Sequence, residues 1–406
     1  MGPLSTTAFV IIGAVKTIVI FTLWLLAVAG TTLAERKVAG WIQDRSGPNR
    51  VGPWGVLQPI ADGIKNFIKE EVRPDEASRL LFYLAPIVSM FPAFVVFAVI
   101  PIAAPLSTPW GTVSLMIADI PIGFLFILAL SSLGVYGLVL GGWASNSKYS
   151  FLGGVRASAQ MISYEVSLGL SVVPILMLSG NVSLPAIVSQ QQETLWFIMP
   201  LMVCYLFFTV AYFAETNRPP FDMPEAESEL VYGFHTEYSA MKFAIFMMAE
   251  YSNMIVASAL MATFFFGGWD IPFWTGDNMR VAADATVVGA TPALWITLLT
   301  ALSFAMKTGF FVLLFIWVRW TIPRFRYDQV MSLGWKVMIP GLVAYIIVIG
   351  AAMLSLDRAG IEFGTTYMLW LTGLNVVGVL GIMFWLDRKR VIMGAGWKQV
   401  RPHELS

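Results

Sequence analysis

The chain has 406 residues, of which 57% are hydrophobic and only 12% are charged, and its formal net charge is zero. About a quarter of the residues in an ordinary soluble protein are charged, so this composition excludes that class. Uncharged apolar runs near the ~20 residues that cross a bilayer as a helix recur along the sequence. A transmembrane β-barrel would show shorter alternating segments instead. The composition therefore predicts an all-α polytopic membrane protein.

Nine membrane-spanning helices are predicted, and together with their connections they form one integral membrane domain over residues 1–406. The predicted spans are residues 8–34, 80–104, 121–142, 156–180, 195–214, 241–267, 293–318, 337–356 and 366–386. Most of the 25 Lys and Arg residues lie in or beside the connections after spans one, three, five and seven, or in the tail 387–406. By the positive-inside rule, the N-terminus faces outside and the tail is cytoplasmic.

The first inner connection, residues 35–79, contains a predicted amphipathic helix that lies in the membrane interface as a tenth helical element. Val56, Leu57, Ile60, Ile64, Phe67 and Ile68 share one helical face, and Asp62, Lys65, Asn66 and Lys69 share the other. The helix is too short and too charged to span the bilayer. Arg36, Arg45 and Arg50 surround two Gly-Pro turns nearby. Polar groups between this helix and the first span could form an opening for an amphiphile with a long tail.

The connection 215–240 concentrates acidic side chains in an otherwise apolar chain. The six acids are Glu215, Asp222, Glu225, Glu227, Glu229 and Glu237. A solvated acidic loop is the simple interpretation. Prolines and aromatic residues interrupt this stretch, however, which favours a segment that docks against other structure. Because crowded carboxylates raise one another's pKa, the loop is predicted to hold protons near neutral pH.

Three ionisable residues lie inside predicted spans, and we expect them at nearly one depth. Glu165, Glu250 and Lys307 are each ~13–16 Å from the inner end of their span at ~1.5 Å per residue. Lys16 lies nearer the outer surface and can snorkel there. Intramembrane charge is costly and usually marks an ion or proton path. A buried ion pair that only fixes helix packing is the alternative.

The chain offers few residues that could hold a cofactor. The single cysteine, Cys204, permits neither an internal disulfide nor a thiolate metal site. Two histidines, His235 and His403, are too few for paired haem ligation within the membrane. Neither of the common glycine-rich nucleotide-binding patterns is present. We therefore expect no cofactor bound covalently or by metal ligands.

Four stretches of the sequence resemble one known family, that of the H membrane subunit of bacterial respiratory complex I, the counterpart of mitochondrial NADH dehydrogenase subunit 1. The stretches are ERKVAGWIQDRSGPNRVGPWGVLQPIADGIKNFIKE (35–70), GWASNSKYSFLGGVRASAQMISYEV (142–166), AETNRPPFDMPEAESELVYGFHTEYSAMKFAIFMMAEY (214–251) and FIWVRWTIPRFRYDQVM (315–331). The ninth span and the basic tail extend beyond the mitochondrial pattern. Trp320, where the family usually has a small residue, departs from it.

The resemblance implies a subunit of NADH:quinone oxidoreductase without a redox centre of its own. The family builds the tunnel through which ubiquinone or menaquinone, as substrate, reaches an iron–sulphur cluster in a neighbouring subunit. It also begins the polar path that couples quinone reduction to proton pumping. The expected quinone-tunnel residues are Arg36, Gln43, Arg45, Asp62, Lys65 and Lys69. The expected coupling residues are Glu165, Glu215, Asp222, Glu225, Glu227, Glu229, Glu250 and Lys307.

The expected location is the bacterial cytoplasmic (inner) membrane. Expected partners are the quinone-reducing and cluster-bearing peripheral subunits, small neighbouring membrane subunits, quinone and lipid, with no nucleic acid. Two alternatives remain open. The first is the equivalent membrane subunit of an energy-converting hydrogenase or ferredoxin-linked complex, against which the complete segment GPNRVGPWGVLQPIADG argues. The second is a free-standing cation/proton antiporter, which would usually show paired repeats and broken spans.

Overall fold

A computed structural model of the chain describes residues 6–108, 111–225, 227–272, 274–277, 279–281, 287–289 and 293–394. Its helices are α1 (Thr6–Ile42), α2 (Gln58–Ile68), α3 (Arg79–Val95), α4 (Gly123–Ala144), α5 (Lys148–Ser179), α6 (Leu184–Glu193), α7 (Met202–Glu215), α8 (Glu227–Leu230), α9 (Ala240–Phe265), α10 (Leu294–Thr321), α11 (Tyr327–Ser332), α12 (Ile339–Arg358) and α13 (Thr365–Gly394). A π-helical turn, Leu333–Met338, joins α11 to α12. The tail beyond residue 394, with His403, lies outside the described residues.

Two short antiparallel hairpins accompany the helices, and neither was predicted. Strands β1 (Leu106–Thr108) and β2 (Gly111–Val113) pair with Leu106 opposite Val113. Strands β3 (Met279–Val281) and β4 (Val287–Gly289) pair with Met279 opposite Gly289. Each strand has three residues, too short for alternating hydrophobicity to be visible in the sequence.

The prediction of an all-α polytopic membrane protein is confirmed. Seven helical segments of the described residues are long and apolar enough to cross a membrane, and α7 and the first part of α13 are shorter apolar helices. Each of the nine predicted spans coincides with a helix. The boundaries differ by eight residues at the end of α1 (Ile42), at the start of α5 (Lys148) and at the end of α13 (Gly394), and α3 ends at Val95, nine residues before its predicted end. At the ends of α1, α5 and α13 the side chains are polar, so the sequence there resembled a loop outside the membrane spans.

Helix α7 is shorter than the predicted span 195–214 because residues 195 and 196 have no regular structure and residues 197–201 form turns. Pro200 lacks a backbone N–H and disfavours helix in the turn before it. Its carbonyl accepts a hydrogen bond of 2.5 Å from Asn375 Nδ2 on α13, and Tyr345 donates its hydroxyl to Asn375 Oδ1 at 2.7 Å. Unpaired carbonyls are costly in hydrocarbon, so Asn375 stabilises this interruption from a neighbouring helix.

The core lies around α9 and α5, whose buried faces are in contact with most of the other long helices. Helix α9 packs against α3 and α10, while α5 packs against α4, α7 and α12. Stacked aromatic pairs tie further helices to this core, Trp24 with Phe97 at 3.7 Å and Phe213 with Phe315 at 4.1 Å between ring centroids. Aromatic pairs add ~0.5–1.5 kcal/mol each to the free energy of their burial. The first pair joins α1 to the turn that follows α3, and the second joins α7 to α10.

The predicted amphipathic helix is α2, which packs against α1 and α9. Its polar face turns toward α1, where Asp62 pairs with Arg36. Its apolar side chains Ile60, Ile64 and Phe67 are exposed. An amphipathic helix that turns its apolar face away from the protein is typical of a helix that lies in the membrane interface, which stays a prediction for α2.

Candidate functional site: a buried ion cluster between two cavities

The chain after α7 places a buried arginine among carboxylates from two other helices. Arg218 is only 2% exposed. Its Nη1 donates to both carboxylate oxygens of Glu35 on α1, at 3.0 and 2.9 Å. Its Nε lies 2.5 Å from Glu250 Oε1 on α9, and Arg319 of α10 also pairs with Glu35. We call Glu35, Arg218, Glu250 and Arg319 the Arg218 cluster. It joins three helices through charge.

The electrostatics of the Arg218 cluster keep its arginine charged. Burial alone would lower the pKa of Arg218, but the carboxylates of Glu250 and Glu35 raise it above its ordinary value. The ring of Tyr251 lies 4.7 Å from the guanidinium and adds a cation–π contact. A buried charge is tolerated only where partners of opposite sign surround it. The permanent positive charge of Arg218 therefore favours carboxylates around it.

A polar cavity of about 220 Å³ lies against the Arg218 cluster. Besides that cluster, its lining includes Arg36, Arg45, Glu225 and Tyr232. Two of the six predicted tunnel residues thus line one cavity together with two of the predicted coupling residues, Glu225 and Glu250. The sequence had treated those two sets as separate.

Three of the other four predicted tunnel residues support the cavity wall. Gln43 accepts a hydrogen bond from Arg45 Nε at 2.7 Å. Asp62 lies 2.5 Å from Arg36 and 3.5 Å from Lys65. Burial alone would raise the pKa of Asp62, but Arg36 and Gln58 hold it below its ordinary value. Lys69, just beyond α2, is exposed and is not among the residues that line the cavity.

The acids of the 215–240 loop divide into buried and exposed groups. Burial, followed by the charges of Glu225 and Glu250, raises the pKa of Asp222 to about 8. Burial would also raise the pKa of Glu225, but His235 and Arg218 hold it below its ordinary value. The expected upward shift of the pKa is thus found at Asp222, where burial is the larger cause and crowding the second, and it is absent at Glu225, where His235 and Arg218 act against burial.

The remaining acids of this loop have different surroundings. Glu215 is buried at the end of α7. Glu229 is 46% exposed and lies 2.6 Å from Arg156 and 3.7 Å from Arg324. Glu227 begins α8, and its side chain lies outside the described part of the chain. The loop is therefore packed against the helices over most of its length, as its prolines and aromatic residues indicated.

A second, buried cavity of about 70 Å³ lies deeper in the protein. Its lining includes Glu215, Glu225, His235 and Glu250. Since Glu225 and Glu250 line both cavities, they form the wall between them. Glu165 is not among the residues that line this cavity. It accepts a hydrogen bond from Ser132 of α4, and its negative charge repels that of Glu215.

The expectation that Glu165, Glu250 and Lys307 share one depth is wrong. Lys307 Nζ donates to the carbonyls of Phe266, Gly268 and Asp270, at 2.7, 3.0 and 2.5 Å. Those carbonyls lie at the opposite end of α9 from Arg218, and a rise of ~1.5 Å per residue puts Glu250 roughly 24 Å from Phe266. Lys307 lies near the middle of α10, but its side chain extends to carbonyls beyond the end of α9, whereas the expectation counted depth along the backbone alone.

A separate group of polar side chains surrounds Lys307. Trp196 lies 4.3 Å from Lys307 Nζ and donates its indole N–H to Asp270 Oδ2 at 2.6 Å. The backbone N–H of Ile271 donates to Asp277 Oδ2 at 2.8 Å. We call Lys307, Trp196, Asp270 and Asp277 the Lys307 cluster.

Sequence reasoning missed several residues that the structure places at the cavities: Glu35, Arg218, His235, Tyr251 and Arg319. One signal could have found the first two. Arg218 is the only arginine among the six acids of its loop, and a buried arginine needs carboxylate partners. Glu35, at the polar end of an apolar run, was available as one. Among the described residues, no group of three or more His, Cys, Asp or Glu side chains could hold a metal ion.

A family model and several known proteins match this chain over most of its length, and their names agree with one another. Residues 15–350 match the family model described as NADH dehydrogenase. The H 1 subunit of NADH-quinone oxidoreductase from Cytophaga hutchinsonii is 47% identical over 342 residues, which cover 84% of this chain and 96% of that protein. The H subunit from Leptospira biflexa is 49% identical over 343 residues, covering 82% and 92%. The H 1 subunit from Geobacter metallireducens is 49% identical over 335 residues, covering 82% and 94%.

Proposed function

Since the chain belongs to the NADH dehydrogenase family and is a membrane subunit of an NADH-quinone oxidoreductase, we propose that its polar cavity receives the quinone headgroup. One observation carries this proposal: the cavity brings Arg36 and Arg45 together with Glu225 and Glu250. The carbonyl oxygens of a quinone accept hydrogen bonds, and guanidinium groups donate them in a fixed fork. The two arginines would bind and orient the headgroup.

The rest of a quinone is an apolar isoprenoid tail, which requires an apolar wall beside the polar cavity. Such a wall exists between α1 and α10, where an apolar groove of about 480 Å³ is lined by Val38, Trp41, Phe310 and Trp317 among others. Ala39, which follows Val38, lines the polar cavity. The arrangement suits an amphiphile whose head lies in the cavity and whose tail follows the groove toward lipid.

Reduction of quinone to quinol consumes two electrons and two protons. The electrons would come from an iron–sulphur cluster held by a partner subunit of the complex. The protons would pass through carboxylates of this chain, beginning with Glu225 and Glu250, which line both cavities. Glu215 and Glu165 would continue this path sideways toward neighbouring membrane subunits. Asp222 would exchange protons with Glu225 and Glu250 beside this path. Glu227 and Glu229 would face the peripheral subunits.

The proposed setting is the bacterial inner membrane, with the N-terminus outside and the C-terminus in the cytoplasm. The distribution of Lys and Arg residues among the connections supports this orientation. It would place the Arg218 cluster near the cytoplasmic face, where peripheral subunits carrying the redox centres could dock.

Arg36→Ala in the assembled complex tests the proposal. Loss of one charged hydrogen bond, worth ~1.5–3 kcal/mol, should raise the apparent KM for quinone about tenfold or more. Lys65→Ala should raise it less, because Lys65 acts through Asp62. Electron input, followed as NADH oxidation by ferricyanide, should stay normal in both variants.

Lys148→Ala is the matched control, since Lys148 is an exposed lysine at the start of α5. Its KM for quinone should equal that of the wild type. Equal loss of quinone and ferricyanide activities in Arg36→Ala would indicate damaged assembly. A normal KM in the assembled variant would contradict the proposed headgroup site.

A further inference from the structure

His235 is a buried imidazole for which the proposed proton path has no role so far. It is only 3% exposed. Phe234 and Phe246 pack on its ring, with centroids at 3.8 and 5.3 Å. Its Nδ1 lies 3.4 Å from Glu225 Oε1. Neither ring nitrogen makes a hydrogen bond to the described residues, so Nδ1 is close to Glu225 without being bonded to it, and Nε2 has no partner. A buried polar atom without a partner usually contacts water or has a chemical role.

The side chain of His235 lines the buried cavity, where its Nε2 can meet water. About 10–15 Å³ of such volume holds one water molecule, so the cavity of about 70 Å³ has room for several. Waters need polar partners, and the lining supplies the carboxyl groups of Glu215, Glu225 and Glu250. The imidazole thus touches a carboxylate that reaches the polar cavity and a cavity able to hold water.

We propose that His235 carries protons between the buried cavity and Glu225, an inference that rests on the proposed function. Nε2 of the neutral ring accepts a proton from a cavity water, which takes a proton in turn from the carboxylic acid of Glu215 or Glu250, and the ring becomes an imidazolium. Nδ1 then releases its proton to the carboxylate of Glu225, which becomes a carboxylic acid. The ring is left neutral with its hydrogen on Nε2, and rotation of the ring or exchange of its tautomer through cavity water resets it for the next proton. No bond other than N–H and O–H forms or breaks.

Imidazole suits this step because its ordinary pKa lies near neutral pH and it has two nitrogens that can accept and release a proton. The titratable groups that face His235 across the cavity are Glu225 from its own loop, Glu215 and Tyr212 from α7 and Glu250 from α9. A histidine that only filled the aromatic pocket would need neither the carboxylate nor the cavity.

His235→Gln in the assembled complex is the direct test, because glutamine keeps a polar side chain but does not titrate. The rate of quinone reduction should fall at least tenfold. Loss of a general acid–base group typically lowers a rate about 100-fold or more, but water in the cavity can partly replace His235 as a proton carrier. The KM for quinone and the ferricyanide activity should stay normal. Imidazole added to His235→Ala should restore part of the lost rate.

Phe243→Leu is the packing control, since Phe243 contacts the His235 ring with centroids 5.5 Å apart. It should keep the wild-type rate. Full quinone reduction and pumping by assembled His235→Gln would overturn the proposal, as would an equal loss in Phe243→Leu. If His235→Gln fails to assemble, partial rescue of His235→Ala by imidazole decides, and no rescue counts against the proposal. A raised KM in Arg36→Ala beside a normal rate in His235→Gln would keep the quinone site and reject only this role.

Discussion

The Arg218 cluster and the Lys307 cluster are both buried groups of charge, but they differ in how completely their polar atoms are used. An ammonium has three N–H donors, and those of Lys307 are matched by three backbone carbonyls. Among the described residues, one atom of the Lys307 cluster, Asp277 Oδ1, has no hydrogen-bond partner, whereas around the Arg218 cluster Glu215 Oε2, Asp222 Oδ1 and both ring nitrogens of His235 have none. Two cavities adjoin them.

The difference shows that burial of a charge does not by itself indicate a proton path. A lysine whose donors are all occupied by carbonyls at the end of a helix stabilises that end, as a charged C-cap does. A carboxyl or imidazole atom without a partner, beside a cavity, has capacity to bind a proton or a water. We therefore expect function to be concentrated at the Arg218 cluster and stability at the Lys307 cluster.

The largest expected effect is that of Arg218→Met. Removing the arginine leaves the carboxylates of Glu35 and Glu250 buried without their main cation, which typically costs ~3–5 kcal/mol. The amount of assembled complex in the membrane, measured on native gels, should fall severely. Arg218→Lys keeps the charge but loses the bidentate contact, so it should assemble better than Arg218→Met. Normal assembly of Arg218→Met would show that the cluster is dispensable.

The next effect is that of Lys307→Met, which leaves the carbonyls at the end of α9 without their donor. Unsatisfied buried acceptors cost ~1–3 kcal/mol, so the midpoint temperature of the complex should fall, while protons pumped per NADH stay normal in the molecules that assemble. Lys16→Met is the matched control, because within the described part of the chain Lys16 donates a single hydrogen bond of 3.3 Å, to the carbonyl of Ser114. A lower pumping ratio with normal stability would instead place Lys307 in the coupling path that the sequence suggested.

The sequence predicted the helices well because length and hydrophobicity determine them. It predicted the amphipathic α2 because a period of 3.6 residues is visible locally. It missed the pairing of Glu35 with Arg218, because the two are far apart in the chain and only tertiary packing brings them together. It placed Lys307 wrongly because depth was counted along the backbone, and a long lysine side chain can reach groups at a different depth from its own Cα. Local sequence patterns thus predicted the helices, whereas the partners of the buried charges are set by tertiary packing and could not be predicted from those patterns.

A smaller effect is expected from Asp222→Asn, and it depends on pH. The carboxyl has an ordinary pKa of 3.8, and its pKa in the folded protein is raised to about 8. Between these values the folded state binds more protons than the unfolded state, so stability falls as pH rises through that window. The asparagine variant should lose this dependence. Thermal stability of the complex at several pH values measures it, with the exposed Asp328→Asn as control. An unchanged slope would contradict the shifted pKa.

The smallest effect should come from Glu229→Gln, in the same loop as Asp222. Glu229 is 46% exposed, and its contacts with Arg156 and Arg324 can be replaced by water. Exposed ion pairs contribute ~0–1 kcal/mol, and salt screens them. The midpoint temperature and the rate of quinone reduction should therefore stay close to those of the wild type, and more so at high salt. A large loss of quinone reduction with assembly intact would mean that Glu229 meets a partner subunit that buries it. The residues needed for quinone reduction would then include some on the surface of the 215–240 loop as well as those that line the cavities.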